Sequence, residues 1–351
     1  MKNSLLAVTA SLFAALASNS FAHHSSAPHF DHDNPITVEG RFSHFRMVNP
    51  HAYFYFDVEE DGVVNEWRCE LSSATQLTRW GWTEDMFNEG QLLKVSGSPA
   101  RREGQHCYTS SIELANGTVI SRNGAVDGVQ TAIAEPQVAV ERSFFLEDGR
   151  SNIEGAWVTR SFGRRGAEGI RPQYTATDVG EAVMVGYEME FDDPILRCHP
   201  LNIFNAWNHD QHINEIYVGE DTITLQYGFM DFVRTIHMNL DDHPANITAS
   251  TGGYSIGRWE GDTLVVDTIG FEQSVLNHFD GMSHSDQMHV TERFRVDADT
   301  GYLIRDYYIN DPLFLVGEVH GQDLMTPSAT GYSPYNCVEL SGDNNIRSGD
   351  Q

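Results

Sequence analysis

Residues 254–294 constrain the fold more than any other part of the chain. This stretch begins YSIGRWEGDTLVVDTIGF, in which apolar and polar residues alternate on both sides of Gly261-Asp262. Such a dipeptide between two alternating runs is typical of a tight β-hairpin. A two-residue loop there places Glu260 opposite Thr263 and continues the pairing along both runs. The sequence therefore predicts antiparallel sheet in this region.

Side-chain alternation sorts the residues of the hairpin, and of the later strand MHVTERF, onto two faces. Two interpretations of the charged face stay open. Its residues lie in water, where exposed ion pairs contribute only about 0 to 1 kcal/mol, or they line a polar lumen and hold a ligand. The second interpretation places Arg258, Asp267, His289 and Arg293 in the lumen. With Trp259 of the opposite face, the predicted ligand-binding set is Arg258, Trp259, Asp267 and Arg293.

The densest group of titratable side chains is His284, Asp286, His289 and Glu292. Histidine titrates near neutral pH and serves as an acid–base group. Glu292 shares its strand face with apolar residues, which makes it a candidate for a buried acid. These four residues are the predicted catalytic set. The alternatives are structural polar contacts, or a divalent metal site completed by another histidine, such as His237, His243, His278 or His320.

Sequence motifs of the common enzyme classes are absent. The chain has no G-x-S-x-G, no phosphate-binding loop, no dinucleotide fingerprint and no H-E-x-x-H. The sequence therefore disfavours the usual hydrolases, kinases and dehydrogenases. The enzymatic alternative that remains is a cofactor-light isomerase, lyase or hydrolase acting through the predicted catalytic set.

Residues 152–345 repeat the hairpin pattern. The segments IYVGEDTITLQY, IGRWEGDTLVVD and FRVDADTGYLIRDYYI each place a turn between two alternating runs. About eight or nine strands joined by local turns predict a lipocalin-like antiparallel β-barrel, which can hold one small ligand. A helix is expected over residues 177–188. We expect this barrel to bind a small, partly apolar molecule.

Residues 36–122 predict a smaller, separate β domain. Its runs indicate five strands, with a short helix over residues 72–80 after the third and Ser72 or Ser73 as its N-cap. That order matches an OB-like small barrel, and residues 123–151 form an acidic linker. The domain lacks a basic groove and the chain has a net charge of −28, so we expect no nucleic-acid partner.

The N-terminus has the composition of a secretory signal. Lys2 precedes an apolar run over residues 5–17, and Ser20-Phe21-Ala22 forms a small-x-small cleavage site. Residues 1–22 are therefore predicted to be removed, and the mature chain to reside in the periplasm or to be secreted. No later stretch approaches the roughly 18 apolar residues of a membrane span, so no integral membrane segment is expected.

Residues 23–35 are rich in histidine and would begin the mature chain. His23 then offers its α-amine as well as its imidazole, and His24 follows directly. That donor set suits Cu(II), which prefers nitrogen ligands in a square arrangement. Copper, or another divalent metal, held by His23 and His24 is therefore a third candidate function. The alternative is a solvated tail without a specific role.

Four cysteines follow the signal: Cys69, Cys107, Cys198 and Cys337. An even number in an exported chain favours disulfides. A zinc site is disfavoured because no C-x-x-C pair occurs. Of the three possible pairings we predict Cys69–Cys107 within the first domain and Cys198–Cys337 across the second.

The first domain resembles a family of exported bacterial proteins with no assigned activity. The marks of that family are HHS after the signal, V-x-G, NPH, a tryptophan, L-x-R-x-G-W and V-x-G-x-P-A. In this chain they occupy residues 23–25, 38–40, 49–51, 67, 77–82 and 95–100.

The second domain resembles another group of exported proteins without an assigned activity. Its marks are DP-x-x-RC-x-P, SIG-x-WEGDTLVVDT-x-GF, HSD-x-x-HV-x-ERF and a later DP. They occupy residues 193–200, 255–271, 284–294 and 311–312. Together the two resemblances imply export and a two-domain organisation, and they leave the function open.

Overall fold

The computed structural model describes residues 26, 29–102, 104–122, 142–159, 169–209 and 212–339. The architecture is mainly β, with 46% strand and 9% helix, and a closed five-stranded barrel is followed by a nine-stranded barrel. The predicted fold class is thereby confirmed. Among the helices of this described part, none is long and apolar enough to cross a membrane.

The first barrel closes through a parallel contact between its third and fifth strands. Its strands are β1 (Ile36–Arg46), β2 (Tyr53–Glu60), β3 (Val63–Glu70), β4 (Leu92–Pro99), β5 (His106–Leu114) and the short β6 (Val119–Ser121). The sheet order is β3-β2-β1-β4-β5-β6, and β3 also pairs with β5. A helix, α1 (Ala74–Arg79), follows β3, as the OB-like order predicts.

Local sequence explains why these elements form where they do. In β2 the alternating residues Phe54, Phe56 and Val58 are buried, while the residues between them stay partly exposed. Helix α1 begins where the Ser73 hydroxyl accepts a hydrogen bond from the Gln76 N–H at 3.3 Å. Of the two predicted N-caps, the structure therefore selects Ser73.

The second barrel contains one parallel strand pair in an otherwise antiparallel ring. Its sheet order is β17-β16-β13-β12-β11-β10-β9-β7-β18, with β18 pairing back to β17, and β11–β12 is the parallel pair. The short β8 extends β18, and β14 and β15 form a separate hairpin. The strands are β7 (Gly155–Thr159), β8 (Gly169–Ile170), β9 (Ile213–Val218), β10 (Thr222–Gln226), β11 (Val233–His237), β12 (Tyr254–Glu260), β13 (Thr263–Ile269), β14 (Ser274–Asn277), β15 (Met282–His284), β16 (His289–Val296), β17 (Leu303–Asn310) and β18 (Glu318–Pro327).

The β12–β13 hairpin has the predicted register. Glu260 pairs with Thr263, and the turn residue Gly261 has φ +64°. Glycine adopts this left-handed conformation without steric cost because it has no Cβ. Leu264 of β13 and Phe294 of β16 then meet in the barrel core.

Side chains fill the middle of the second barrel. Among the described residues, α2 (Asp178–Met184), α3 (Met189–Asp192) and α4 (Ile203–Trp207) precede most of its strands. On α4, Trp207 lies edge-on to Tyr227 and Phe294, with ring centroids 5.2 and 5.9 Å apart. Trp157, Trp207 and Tyr227 are fully buried. The helix expected over residues 177–188 is α2, which is shorter than predicted and is capped by Thr177.

Both predicted disulfides are present. Cys69–Cys107 joins β3 to β5 within the first barrel, and Cys198–Cys337 ties the beginning of the second domain to its end. The segment around Cys337 also contacts the first barrel. Asn49 donates its side-chain N–H to the Tyr335 carbonyl at 2.5 Å, and the Val338 N–H donates to the Asn49 carbonyl at 2.8 Å. The second disulfide therefore anchors the segment that links the two barrels.

The end of the predicted linker packs on the second barrel. The Arg142 guanidinium lies 4.4 Å from the centre of the Trp157 ring, and Phe144 packs against the barrel core. The Ser151 hydroxyl accepts a hydrogen bond from the Val296 N–H at 2.9 Å. Residues 1–25 and 123–141, which include the predicted signal and most of the predicted linker, lie outside the described residues.

Candidate functional site

The predicted catalytic set is distributed over three environments. His284 on β15 is fully buried, and burial lowers its pKa. Asp286 is exposed in the turn that follows β15. His289 lies on the outer surface of β16, whereas Glu292 on the same strand is fully buried. The burial of Glu292 confirms the prediction made from its apolar strand face.

Glu292 belongs to a lumen ion network with Arg234, Arg305 and Asp323. It accepts hydrogen bonds from Arg234 and, at 3.4 Å, from Arg305. Arg305 also donates its Nε–H to Asp323 at 2.8 Å. All four side chains are at most 1% exposed. A buried charge is tolerated only when it is paired, and two cations balance two anions in this network.

Each carboxylate of the lumen ion network faces a guanidinium. Burial alone would lower the pKa of Arg305, but the facing Asp323 and Glu292 carboxylates raise it overall. Ser255 and Thr268 accept further hydrogen bonds from Arg234, at 2.9 and 2.8 Å. Glu292 thus serves as a counter-ion shared by two guanidinium groups. Sequence reasoning missed these arginines, although each stands at an apolar-facing position of its strand.

A second polar group, the outer His–Asp–His cluster, lies on the outside of the same barrel. Asp267 on β13 contacts His289 at 2.7 Å through one carboxylate oxygen and His243 at 2.8 Å through the other. Burial opposes ionisation of Asp267, but the two histidines lower its pKa overall. The hydrogen bond to Asp267 in turn raises the pKa of His289, against a smaller effect of burial. The structure thus joins two predicted site residues and adds His243.

Asp267→Asn should lower the pKa of His289, because a neutral amide does not favour the imidazolium. In the wild type, the pairing of His289 with Asp267 stabilises the folded protein fully below about pH 6.5, the ordinary pKa of histidine. This stabilisation is lost as the pH rises through the raised pKa of His289 in the folded protein. NMR titration of the His289 ring in both proteins measures the shift. His320, which pairs with Asp306 at 3.2 Å, serves as the unaffected control. An unchanged His289 titration would contradict the assigned pairing.

The remaining predicted ligand-binding residues have other partners. Arg258 and Arg293 both bond to Glu260 on the exposed face of the hairpin, at 2.7 and 3.0 Å. Trp259 is half-buried against the barrel core, and the Arg150 guanidinium lies 5.1 Å from the centre of its ring. Within the described ranges, no group of three or more His, Cys, Asp or Glu side chains is arranged to hold a metal ion.

A pocket of about 380 Å³ opens in the barrel wall between β11 and β12. These two strands pair at only two positions, Ile236 with Ser255 and His237 with Ile256. The pocket lies beside the residues that precede these two pairs on each strand, so the chain before β12 forms its opposite side. This wall pocket is lined by Phe232, Val233, Arg234, Thr235, His237, residues 249–253, Tyr254 and Glu272.

The wall pocket lies beside both the lumen ion network and the outer His–Asp–His cluster. Arg234, a member of the lumen ion network, lies at its buried side and is 3% exposed. At another edge His237 stacks on Tyr254, with ring centroids 4.7 Å apart. His243 of the outer His–Asp–His cluster meets the same Tyr254 ring edge-on at 6.1 Å. The pocket, a buried cation and an acid–base pair are therefore neighbours.

In the first barrel, His51 of the NPH segment contacts the buried carboxylate of Glu70 at 2.5 Å. Burial alone would raise the pKa of Glu70, but His51, His106 and Arg122 lower it to about 2. Glu70 is therefore ionised near neutral pH, and His51 is its nearest partner.

In the comparisons with known proteins, a family model matches the N-terminal part of the chain, which includes most of the first barrel. Residues 11–109 match the model of a family of unknown function, DUF6152. The resemblance predicted for this region is thereby confirmed, and the DUF6152 match covers the chain up to β5. No curated protein matches the chain.

Among solved structures, one match is the crystal structure of apo TiaS, described as a tRNAIle2 agmatidine synthetase. The identity is 14%, the match covers 24% of this chain and 19% of that chain, and the TM-score is 0.18. A likeness of this size carries no conclusion about fold or activity. The predicted metal ligands His23 and His24 lie outside the described residues, so the copper site stays a prediction.

Proposed function

We propose that this is an exported binding protein that holds a small, partly apolar molecule in the wall pocket of its second barrel. The wall pocket is the observation that carries this proposal. Its volume of about 380 Å³ falls in the range of small-molecule sites. Such sites combine an apolar lining with a few placed polar groups.

The lining has this mixed character. Phe232, Tyr254 and Val233 supply apolar surface, and Val233 is 50% exposed, as expected for a side chain that a ligand would cover. His237, Thr251 and Glu272 supply polar groups, whereas the guanidinium of Arg234 is already paired with Glu292. A ligand with an apolar body and one polar or charged group would therefore match the site.

The pocket is preformed by hydrogen bonds around residues 249–253. The Glu272 N–H donates to the Ser250 carbonyl at 3.0 Å, and the Thr251 hydroxyl donates to the Glu272 carboxylate at 2.5 Å. At Gly252 an added Cβ would meet the Phe232 ring at 2.9 Å, so these two residues already pack closely. A preformed wall reduces the entropy lost when a ligand binds.

The proposed location is the periplasm or the extracellular space. Two formed disulfides agree with an oxidising compartment. The composition of residues 1–22 supports export. A net charge of −28 disfavours nucleic acid as a partner, and a small molecule remains the proposed one.

Filling the wall pocket should remove binding of a matching probe. The dye 1-anilinonaphthalene-8-sulfonate combines apolar rings with one anionic group. Thr235→Trp places a large ring in the pocket and should weaken dye binding about tenfold or more, an effect of about 1.4 kcal/mol. The matched control is Thr224→Trp, since Thr224 pairs with Thr235 on the neighbouring strand and does not line the pocket. Equal affinity in the two variants, measured by fluorescence titration, would reject the site.

Acid–base catalysis on the bound molecule is the second candidate function. It is favoured by the two histidines that share Asp267 next to the pocket residue Tyr254. Native mass spectrometry of the exported wild type and of His289→Ala separates the two functions. The released molecule is also identified by chromatography, because an isomerase would leave its mass unchanged. The same compound in both proteins indicates binding alone, whereas a product in the wild type and a substrate in the variant indicate an enzyme.

A further inference from the structure

A second pocket, of about 320 Å³, lies on the first barrel, far in sequence from the wall pocket. Its lining is unusually rich in hydroxyl groups and contains one guanidinium. This first-barrel pocket is lined by His32, Ser98, Tyr108, Thr109, Ser110, Ser121 and Arg122.

The hydroxyl groups of this pocket differ in their hydrogen-bond partners. The Thr109 hydroxyl is buried without a hydrogen-bond partner in the described chain, and Thr109 is only 1% exposed. An unsatisfied buried hydroxyl destabilises the folded protein, and a ligand atom bonded to it would recover that loss. Ser110 donates to the Ser96 carbonyl at 2.8 Å, and Ser98 bonds to His32 at 2.8 Å. Both serines retain lone pairs that can accept hydrogen bonds from a ligand.

The guanidinium of Arg122 is held in place, and no carboxylate among the described residues forms a close ion pair with it. Its central carbon lies 3.9 Å from the centre of the Tyr108 ring, a close cation–π contact. Its Nε is buried and has no hydrogen-bond acceptor among the described residues. Burial lowers the pKa of Arg122, against smaller opposing effects of Tyr108 and Glu70. The nearby Glu70 carboxylate is engaged with His51 at 2.5 Å.

The planar guanidinium of Arg122 can form two parallel N–H hydrogen bonds with a carboxylate. The surrounding hydroxyl groups match hydroxyl groups of a ligand. We infer that the first-barrel pocket binds a small hydroxylated carboxylate, with Arg122 and Thr109 as its principal contacts. His32, which bonds to both Ser98 and Ser26 at 2.8 Å, positions the N-terminal segment at the rim. This site is independent of the one proposed in the second barrel.

Three probes of similar chain length separate the two recognition elements. Gluconate carries a carboxylate and hydroxyl groups, hexanoate carries only the carboxylate, and sorbitol carries only hydroxyl groups. By isothermal titration of the mature full-length protein, gluconate should bind at least about tenfold more tightly than either control. Binding of gluconate weaker than about 10 mM, or no tighter than that of sorbitol or hexanoate, overturns the inference.

Variants assign the binding to this pocket. Arg122→Gln should weaken gluconate binding about tenfold or more, and Thr109→Val, which keeps the side-chain shape, should weaken it about threefold or more. Arg41→Gln is the matched control, since Arg41 is an exposed arginine of the same barrel that bonds to the Gly90 carbonyl at 3.1 Å. Thermal melting checks that each variant is folded. Unchanged affinity in both pocket variants overturns the assignment, and so does an equal loss in the Arg41 control.

Discussion

Replacing Glu292 with alanine should lower the free energy of unfolding by about 3 to 5 kcal/mol, the usual effect of removing one partner from a buried ion network. The reason is the geometry of the lumen ion network. Glu292 is fully buried and faces both Arg234 and Arg305. Without its carboxylate, two cations share the single anion of Asp323 in a medium that solvates charge poorly. Urea unfolding measures the change as a lower midpoint at constant slope.

Glu260 provides a matched control on the outside of the same sheet. It also accepts from two arginines, Arg258 and Arg293, but its side chain is 40% exposed. Water already solvates these charges, so Glu260→Ala should lower the free energy of unfolding far less than Glu292→Ala. If Glu292→Ala and Glu260→Ala lower the free energy of unfolding equally, burial does not explain the stabilising effect of the lumen ion network.

Removing the Cys198–Cys337 disulfide should give the second large effect. Serine at both positions should destabilise the second barrel by about 2 to 5 kcal/mol, because the open chain gains conformational entropy in the unfolded state. This cross-link spans 139 residues, whereas Cys69–Cys107 spans 38. Loop-closure entropy grows with the logarithm of that separation. Removing Cys198–Cys337 should therefore lower the free energy of unfolding by about 1 kcal/mol more than removing Cys69–Cys107. Urea unfolding of both double-serine variants measures the difference.

The two disulfide variants should also differ in which barrel is affected. Loss of Cys198–Cys337 frees the segment that carries Tyr335 and Val338, whose backbone bonds to Asn49 of the first barrel. Loss of Cys69–Cys107 leaves that contact in place. Hydrogen exchange at the Val338 amide should therefore accelerate only in the first case. Equal acceleration in both variants would show that the anchoring role is misassigned.

Sequence reasoning succeeded where neighbouring residues decide the outcome. In the β12–β13 hairpin, the dipeptide Gly261-Asp262 sets the turn, and alternation then determines the partner of every residue. The burial of Glu292 followed from the apolar character of its strand face. The disulfide pairing followed from the division into two domains.

The candidate site could not be predicted in the same way. Arg234 precedes its partner Glu292 by 58 residues, so only closure of the barrel brings them together. His243 lies in a loop, and its contact with Asp267 depends on how that loop folds over β13. The predicted catalytic set failed to converge because its members lie on β15, in the following turn and on β16, where His289 and Glu292 face opposite sides of the sheet.

The sequence by itself determined the strands, their turns, the division into two barrels and the disulfide partners, because each of these follows from local periodicity or from a short count of alternatives. Tertiary structure alone decided which polar residues meet. The wall pocket lies where β11 and β12, a parallel pair, are joined at only two positions, and the lumen charges are tolerated because distant strands supply their counter-ions. Such contacts depend on the ring order of the strands, which side-chain alternation along a single strand does not encode.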